Sequence, residues 1–213
     1  MKMAVGLSML SALALVFLFS ASQAAAQARR VPARPSGTGA VIPPAAAAGK
    51  EGVTIRKMDA TGPTARVKTP EFKNDASEPQ AQAREWARIS VQYDTDAEWI
   101  DELVFSYMVL VKHPKTGVFT MFPGAVTYID ISKGKRHTST VFLRPATLER
   151  YGIVEWAGVR IDLKGTRVAA AQMPDDASPW TTSYPTKEGV LLNRDQTPFA
   201  QVSIDNYETI KPK

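Results

Sequence analysis

The chain has 213 residues, of which 44% are hydrophobic and 22% charged, with no cysteine and a net charge of +5. That length accommodates one domain of ordinary size with appendages. The lack of cysteine excludes disulfides, thiolate metal sites, thiol nucleophiles and a lipid-modified cysteine anchor. The positive charge is concentrated in residues 29–70, net +6, whereas residues 71–213 carry net −2. The part with a folding pattern is therefore slightly acidic, which argues against a phosphate-tracking nucleic-acid surface.

Residues 1–28 read as an export signal. Lys2 gives a positive start, Met3 to Phe19 is an apolar run broken only by Gly6, Ser8 and Ser11, and small residues follow to Ala28. Cleavage after Ala24, Ala26 or Ala28 fits the small side chains a signal peptidase accepts. The fifth residue after Gly6 is Ser11, where a type IV prepilin carries Glu, so the chain is not expected to be a pilin subunit. Residues 29–79 show no hydrophobic period and contain Pro32, Pro35, Pro43, Pro44, Pro63 and Pro70. Such a segment buries too little apolar surface to offset its ordering entropy, and a basic, largely disordered tether is expected. Its cations could make a diffuse contact with an anionic surface. Within it, Val53-Thr54-Ile55 is the one candidate strand, at a sheet edge. Gly37-Thr38-Gly39 follows no strand and opens no helix, so it is not a phosphate loop.

From about residue 80 the pattern changes to alternation. Ile89, Val91 and Tyr93 share one face, and Asp94-Thr95-Asp96 has the composition of a turn. Leu103, Phe105, Tyr107, Val109 and Val111 alternate with other apolar residues, as in a central strand covered on both faces. His113 to Gly117 reads as a turn, and residues 118–131 as a strand bent at Pro123-Gly124. Residues 132–135 read as a turn, residues 137–143 as a strand and residues 145–152 as a helical turn. A hairpin with Lys164-Gly165 at its tip joins residues 153–163 to residues 167–173. Residues 190–192 and 202–210 complete the strands. The expected fold is mostly β, an immunoglobulin-like sandwich of about seven or eight strands over residues 80–213, with a small barrel as the second choice.

Three stretches in this region carry a resemblance: Trp99-Ile100-Asp101-Glu102-Leu103, Phe142-Leu143-Arg144-Pro145, and Leu191 to Ala200 with the sequence LLNRDQTPFA. They resemble secreted immunoglobulin-like proteins encoded beside type IV pilus-like components in mucin-degrading gut bacteria, over roughly residues 80–210. The resemblance implies an exported, envelope-exposed, non-enzymatic domain whose partners are envelope or pilus-like components. It supplies no catalytic residue and no cofactor.

The chemistry legible in the residues is sparse. His113 and His137 both fall in polar surroundings that predict exposure, and Ser139 lies only two residues from His137. No Gly-x-Ser-x-Gly elbow exists. Asp94, Asp96 and Glu98 alternate as hard oxygen ligands for Ca²⁺ would, but an EF-hand loop starting at Asp94 would need Gly and Glu where Trp99 and Phe105 stand. A solvated turn is the expected role of these carboxylates. Adjacent Asp101 and Glu102 point to opposite faces of a strand, unlike the facing pair of a glycosidase. Trp180 and Tyr184, set among hydroxyl residues, form the candidate ligand loop for a glycan, against a reading in which Trp180 is a plug over the sandwich end. Trp86, Trp99 and Trp156 are expected in the core. The leading expectation is a non-catalytic binding or structural module, the second a carbohydrate-binding module, the third an enzyme of unrecognised type.

Overall fold

The computed structural model describes residues 52–71, 82–175 and 183–212. The export signal, the front of the tether and Trp180 lie outside the described residues. Eight strands make one antiparallel sheet among those that are described. They are β1 (Val53–Asp59), β2 (Arg66–Lys68), β3 (Glu85–Lys112), β4 (Phe119–Leu143), β5 (Ile153–Leu163), β6 (Thr166–Met173), β7 (Leu192–Asn193) and β8 (Thr209–Ile210), with one helix, α1 (Pro145–Tyr151), between β4 and β5.

The frame is a hairpin of two long strands. β3 has 28 residues and β4 has 25, and they pair from Ala87 with Leu143 to Lys112 with Phe119. The ladder breaks register on either side of Thr95, and Asp130 and Arg136 take positive φ values of 55° and 65° in the facing strand. Such bulges bend and twist a strand, and here the hairpin folds back on itself. β1 and β2 pair with the first half of β3, β5 pairs with its second half, and β6 extends β5. The mostly-β sandwich expected from the sequence is observed, but its two layers are two halves of one sheet that share both long strands.

The core lies between the layers, and alternation in β3 supplies much of it. Ile89, Val91, Tyr93, Leu103, Phe105, Tyr107, Val109 and Val111 are all buried. Phe105 reaches across the fold to Tyr93, 5.0 Å between ring centroids, and packs edge-on against Tyr128 at 5.3 Å. The Tyr107 hydroxyl donates to Ser139 Oγ at 2.6 Å, and Tyr128 Oη accepts from the Thr140 amide at 3.3 Å. Burial pushes the phenol of Tyr128 up to about 12 and also raises those of Tyr93 and Tyr107. Two smaller clusters sit on the outer faces, one of Trp86, Phe142 and Leu192, the other of Leu110, Met121 and Trp156.

Four expectations are corrected. Residues 53–68 carry strands β1 and β2, so ordered structure begins well inside the span assigned to the tether, although Val53 to Ile55 is the edge strand anticipated. Asp94-Thr95-Asp96 is a break within β3, and residues 132–135 continue β4; neither ends a strand. Residues 202–210 hold a 3₁₀ turn at Ile204–Asn206, with only Thr209–Ile210 in the sheet. There the left-handed Ser203, φ 53°, interrupts any extended run. Finally, Trp86 and Trp156 are buried as expected, but Trp99 is 65% exposed at the register break.

Candidate interaction edge

Over residues 119–129 the outer edge of β4 is covered at two places and open between them. Met121 donates its N–H to Pro185 O at 2.8 Å and accepts from the Lys187 amide at 2.9 Å. Six residues on, Thr127 O accepts from the Lys211 amide at 2.8 Å, where β8 begins to pair. Backbone groups alternate in direction along a paired strand, so residues 121, 123, 125 and 127 all turn theirs away from β3. Between the covered ends, Pro123 has no N–H to offer. Ala125 is exposed and turns both its N–H and its C=O toward an edge that no strand covers among the described residues.

A cavity of about 620 Å³ adjoins this open stretch. Tyr107, Val126, Val141 and Leu191 give it apolar walls that continue into the core. A Cβ at Gly124 would stand 2.8 Å from Leu191 Cδ2, so any larger residue here would have to displace the Leu191 side chain. Asn193 and Gln196 also line the cavity. Asn193 Oδ1 accepts from the Gln196 amide and Gln196 Oε1 accepts from the Asn193 amide, both at 3.1 Å. This reciprocal cap occupies both carboxamide oxygens and leaves both NH₂ groups as donors. Arg160 lines the same cavity, its pKa lowered first by burial and then by the nearby Arg167 charge. The arrangement suits an extended segment that pairs with Ala125 and places one side chain in the cavity. In the sequence Pro123-Gly124 reads as a bend, but a proline inside a strand is also the signal of an edge.

The residues singled out from the sequence take other positions. Tyr184 packs against Phe119 at 5.5 Å and joins the outer cluster around Trp156. Asp94 is nearly buried and its oxygens are engaged: Oδ1 accepts from the Arg136 amide at 2.9 Å and Oδ2 from Arg56 Nε at 2.7 Å. The Arg136 amide first, and then Arg56, hold this carboxyl below its ordinary range. Asp96 and Glu98 are exposed, and no group of three metal-ligating side chains is assembled among the described residues. The expected solvated turn is thus corrected for Asp94, whose carboxylate braces the bulge.

His137 is also corrected, from exposed to largely buried. Its Nδ1 lies 2.5 Å from Glu208 Oε1 and its Nε2 lies 3.1 Å from the Thr95 hydroxyl. That hydroxyl donates to Ser132 O at 2.8 Å and accepts from the Gly134 amide at 3.0 Å. With its proton given to Ser132, Thr95 meets His137 as an acceptor, which is a tie between strands and leaves no proton for a base to remove. Ser139 bonds Tyr107. His113 sits in its expected turn, where Nδ1 accepts from the Lys115 and Thr116 amides.

The crystal structure of a protein from Akkermansia muciniphila superimposes with a TM-score of 0.64, covering 76% of this chain and 93% of that one at 22% identity, a likeness of fold. No curated protein matches the chain. A protein-family model matches residues 45–213. That match spans both the corrected N-terminal strands and the open β4 edge, and the chain belongs to the family that this model describes.

Proposed function

We propose that this protein is an exported, non-catalytic component or accessory of a pilus-like assembly in the cell envelope. It holds its partner by strand addition at residues 123–127 of β4. The observation that carries this reading is the open stretch of edge between two covered ends, with a cavity beside it. The resemblance of residues 80–210 to proteins encoded beside pilus-like components supports the kind of partner, an extended segment of another assembly component. The signal-like residues 1–28 support export. Strand addition draws affinity from main-chain hydrogen bonds and selectivity from the pocket that takes a side chain.

The test removes one donor. Ala125→Pro deletes the outward N–H of an exposed residue, whereas Ala125→Ser keeps it. Binding to the purified subunits of the organism's own pilus-like assembly is measured by calorimetry, with near-UV circular dichroism to check the fold. The expected result is at least tenfold weaker binding for Ala125→Pro and near-native binding for Ala125→Ser. Equal binding by wild type and a folded Ala125→Pro, or no binding by wild type, overturns the reading.

A further inference from the structure

A second cavity, of about 660 Å³, opens at the end of the sandwich where β3 both begins and ends. Its walls are the segment joining β1 to β2, the start of β3, the His113–Lys115 turn, α1 and the start of β5. The volume lies in the range of small-molecule sites, about 300–1,000 Å³.

Its floor is apolar, with Pro145, Leu148, Ile153 and Val154 over a buried layer of alanines. Ala60, Ala65 and Ala87 are buried, and Leu148 and Val154 pack against the core beside them. Gly152 completes the wall, where α1 meets β5. Its φ is 108°, and a Cβ there would lie 2.1 Å from Lys112 O, so this junction is pressed against the end of β3.

The rim is charged and almost balanced. Arg66 pairs with Glu85 at 3.1 Å, and Arg84 pairs with Glu149. Lys115 has no acidic partner among the described residues and is exposed at the mouth. His113 Nδ1 accepts two backbone amides at 3.3 Å each, which leaves the ring proton on Nε2 as a donor. The mouth therefore presents one uncompensated cation and one imidazole donor above an apolar floor.

We infer that this cavity binds a small amphiphile with an apolar chain and a single negative headgroup, a medium-chain monocarboxylate. The chain covers Leu148, Ile153 and Val154, and the carboxylate meets Lys115 and His113. The site lies apart from the β4 edge and uses none of its residues, so it stands independently of the partner proposed above.

The probe is sodium octanoate, titrated by calorimetry into the chain from Arg29 onward. Sodium acetate tests the tail and 1-octanol tests the headgroup. Octanoate is expected to bind and to raise the thermal midpoint with concentration, as any ligand of the native state does. Acetate and 1-octanol are expected to bind at least tenfold more weakly. Lys115→Met, at an exposed position, is expected to weaken octanoate at least tenfold with an unchanged midpoint in its absence. Absence of octanoate binding at millimolar concentration overturns the inference. So does 1-octanol binding as tightly as octanoate, or unchanged octanoate affinity in Lys115→Met.

Discussion

The residues that hold the bend of the hairpin do so by replacing ladder hydrogen bonds with side-chain ones. Asp94 takes the amide of the left-handed Arg136 and the guanidinium of Arg56. Thr95 takes the Gly134 amide and gives its proton to Ser132. Asp-Thr-Asp is the composition of a turn because such side chains bond nearby backbone. The same capacity here serves backbone some forty residues away, which the local sequence does not encode. His137 was illegible for the same reason: its partners Thr95 and Glu208 are remote in the chain. A consequence follows for acid stability. A carboxyl held below its ordinary range stabilises the fold above that range, and this contribution disappears as pH falls through the lowered value. Urea melts of the wild type should therefore lose midpoint as pH drops below about 4. Asp94→Asn should be less stable at neutral pH and show a shallower acid decline. An acid decline identical to wild type would remove Asp94 as its source.

Among the elements, the strands with strict alternation were legible almost residue by residue. β5, β6 and the hairpin tip at Lys164-Gly165 match their expected bounds to within a residue. The second half of β3 shows why: one face is core and the other carries Leu110 and Met108 into an outer cluster, so both faces left a mark in the sequence. Joining the two halves of β3 into one strand was not legible, because a break in register looks like a break in structure. Phe105 tests the element. It is fully buried against Tyr93, Tyr128 and Tyr107, and Phe105→Ala should cost about 3–5 kcal/mol in denaturant melts. Its neighbour Ser106 is half-buried on the other face, and Ser106→Ala should cost about 0.5 kcal/mol or less. A loss under about 1 kcal/mol for Phe105→Ala would break the register.

For the whole molecule, the sandwich closes only with the strands that precede residue 80. β1 contributes Val53, fully buried, and Met58, 8% exposed, to the core, and Arg56 to the Asp94 brace. Positions 53 and 58 differ by five, so on an unbroken strand they would face opposite sides. The register shift between Ile55 and Lys57 resets the alternation and turns both inward. A bulge therefore erased the period-two signal, and a Pro- and Lys-containing surround made the segment read as tether. Deleting it removes more than a tail. A chain beginning at Thr69 loses β1, β2 and the buried Ala60 and Ala65. Uncovering a buried valine and methionine costs about 1.5–3 kcal/mol each. For a domain of this size about 1 kcal/mol corresponds to roughly 2–4 °C in Tm, so the chain from Thr69 should melt roughly 10 °C or more below the chain from Arg29. A chain beginning at Gly52 keeps both strands and should melt with the longer one. Equal midpoints for the Thr69 and Arg29 chains would mean that β1 and β2 rest on β3 without contributing to the cooperative core, and that the domain closes without them.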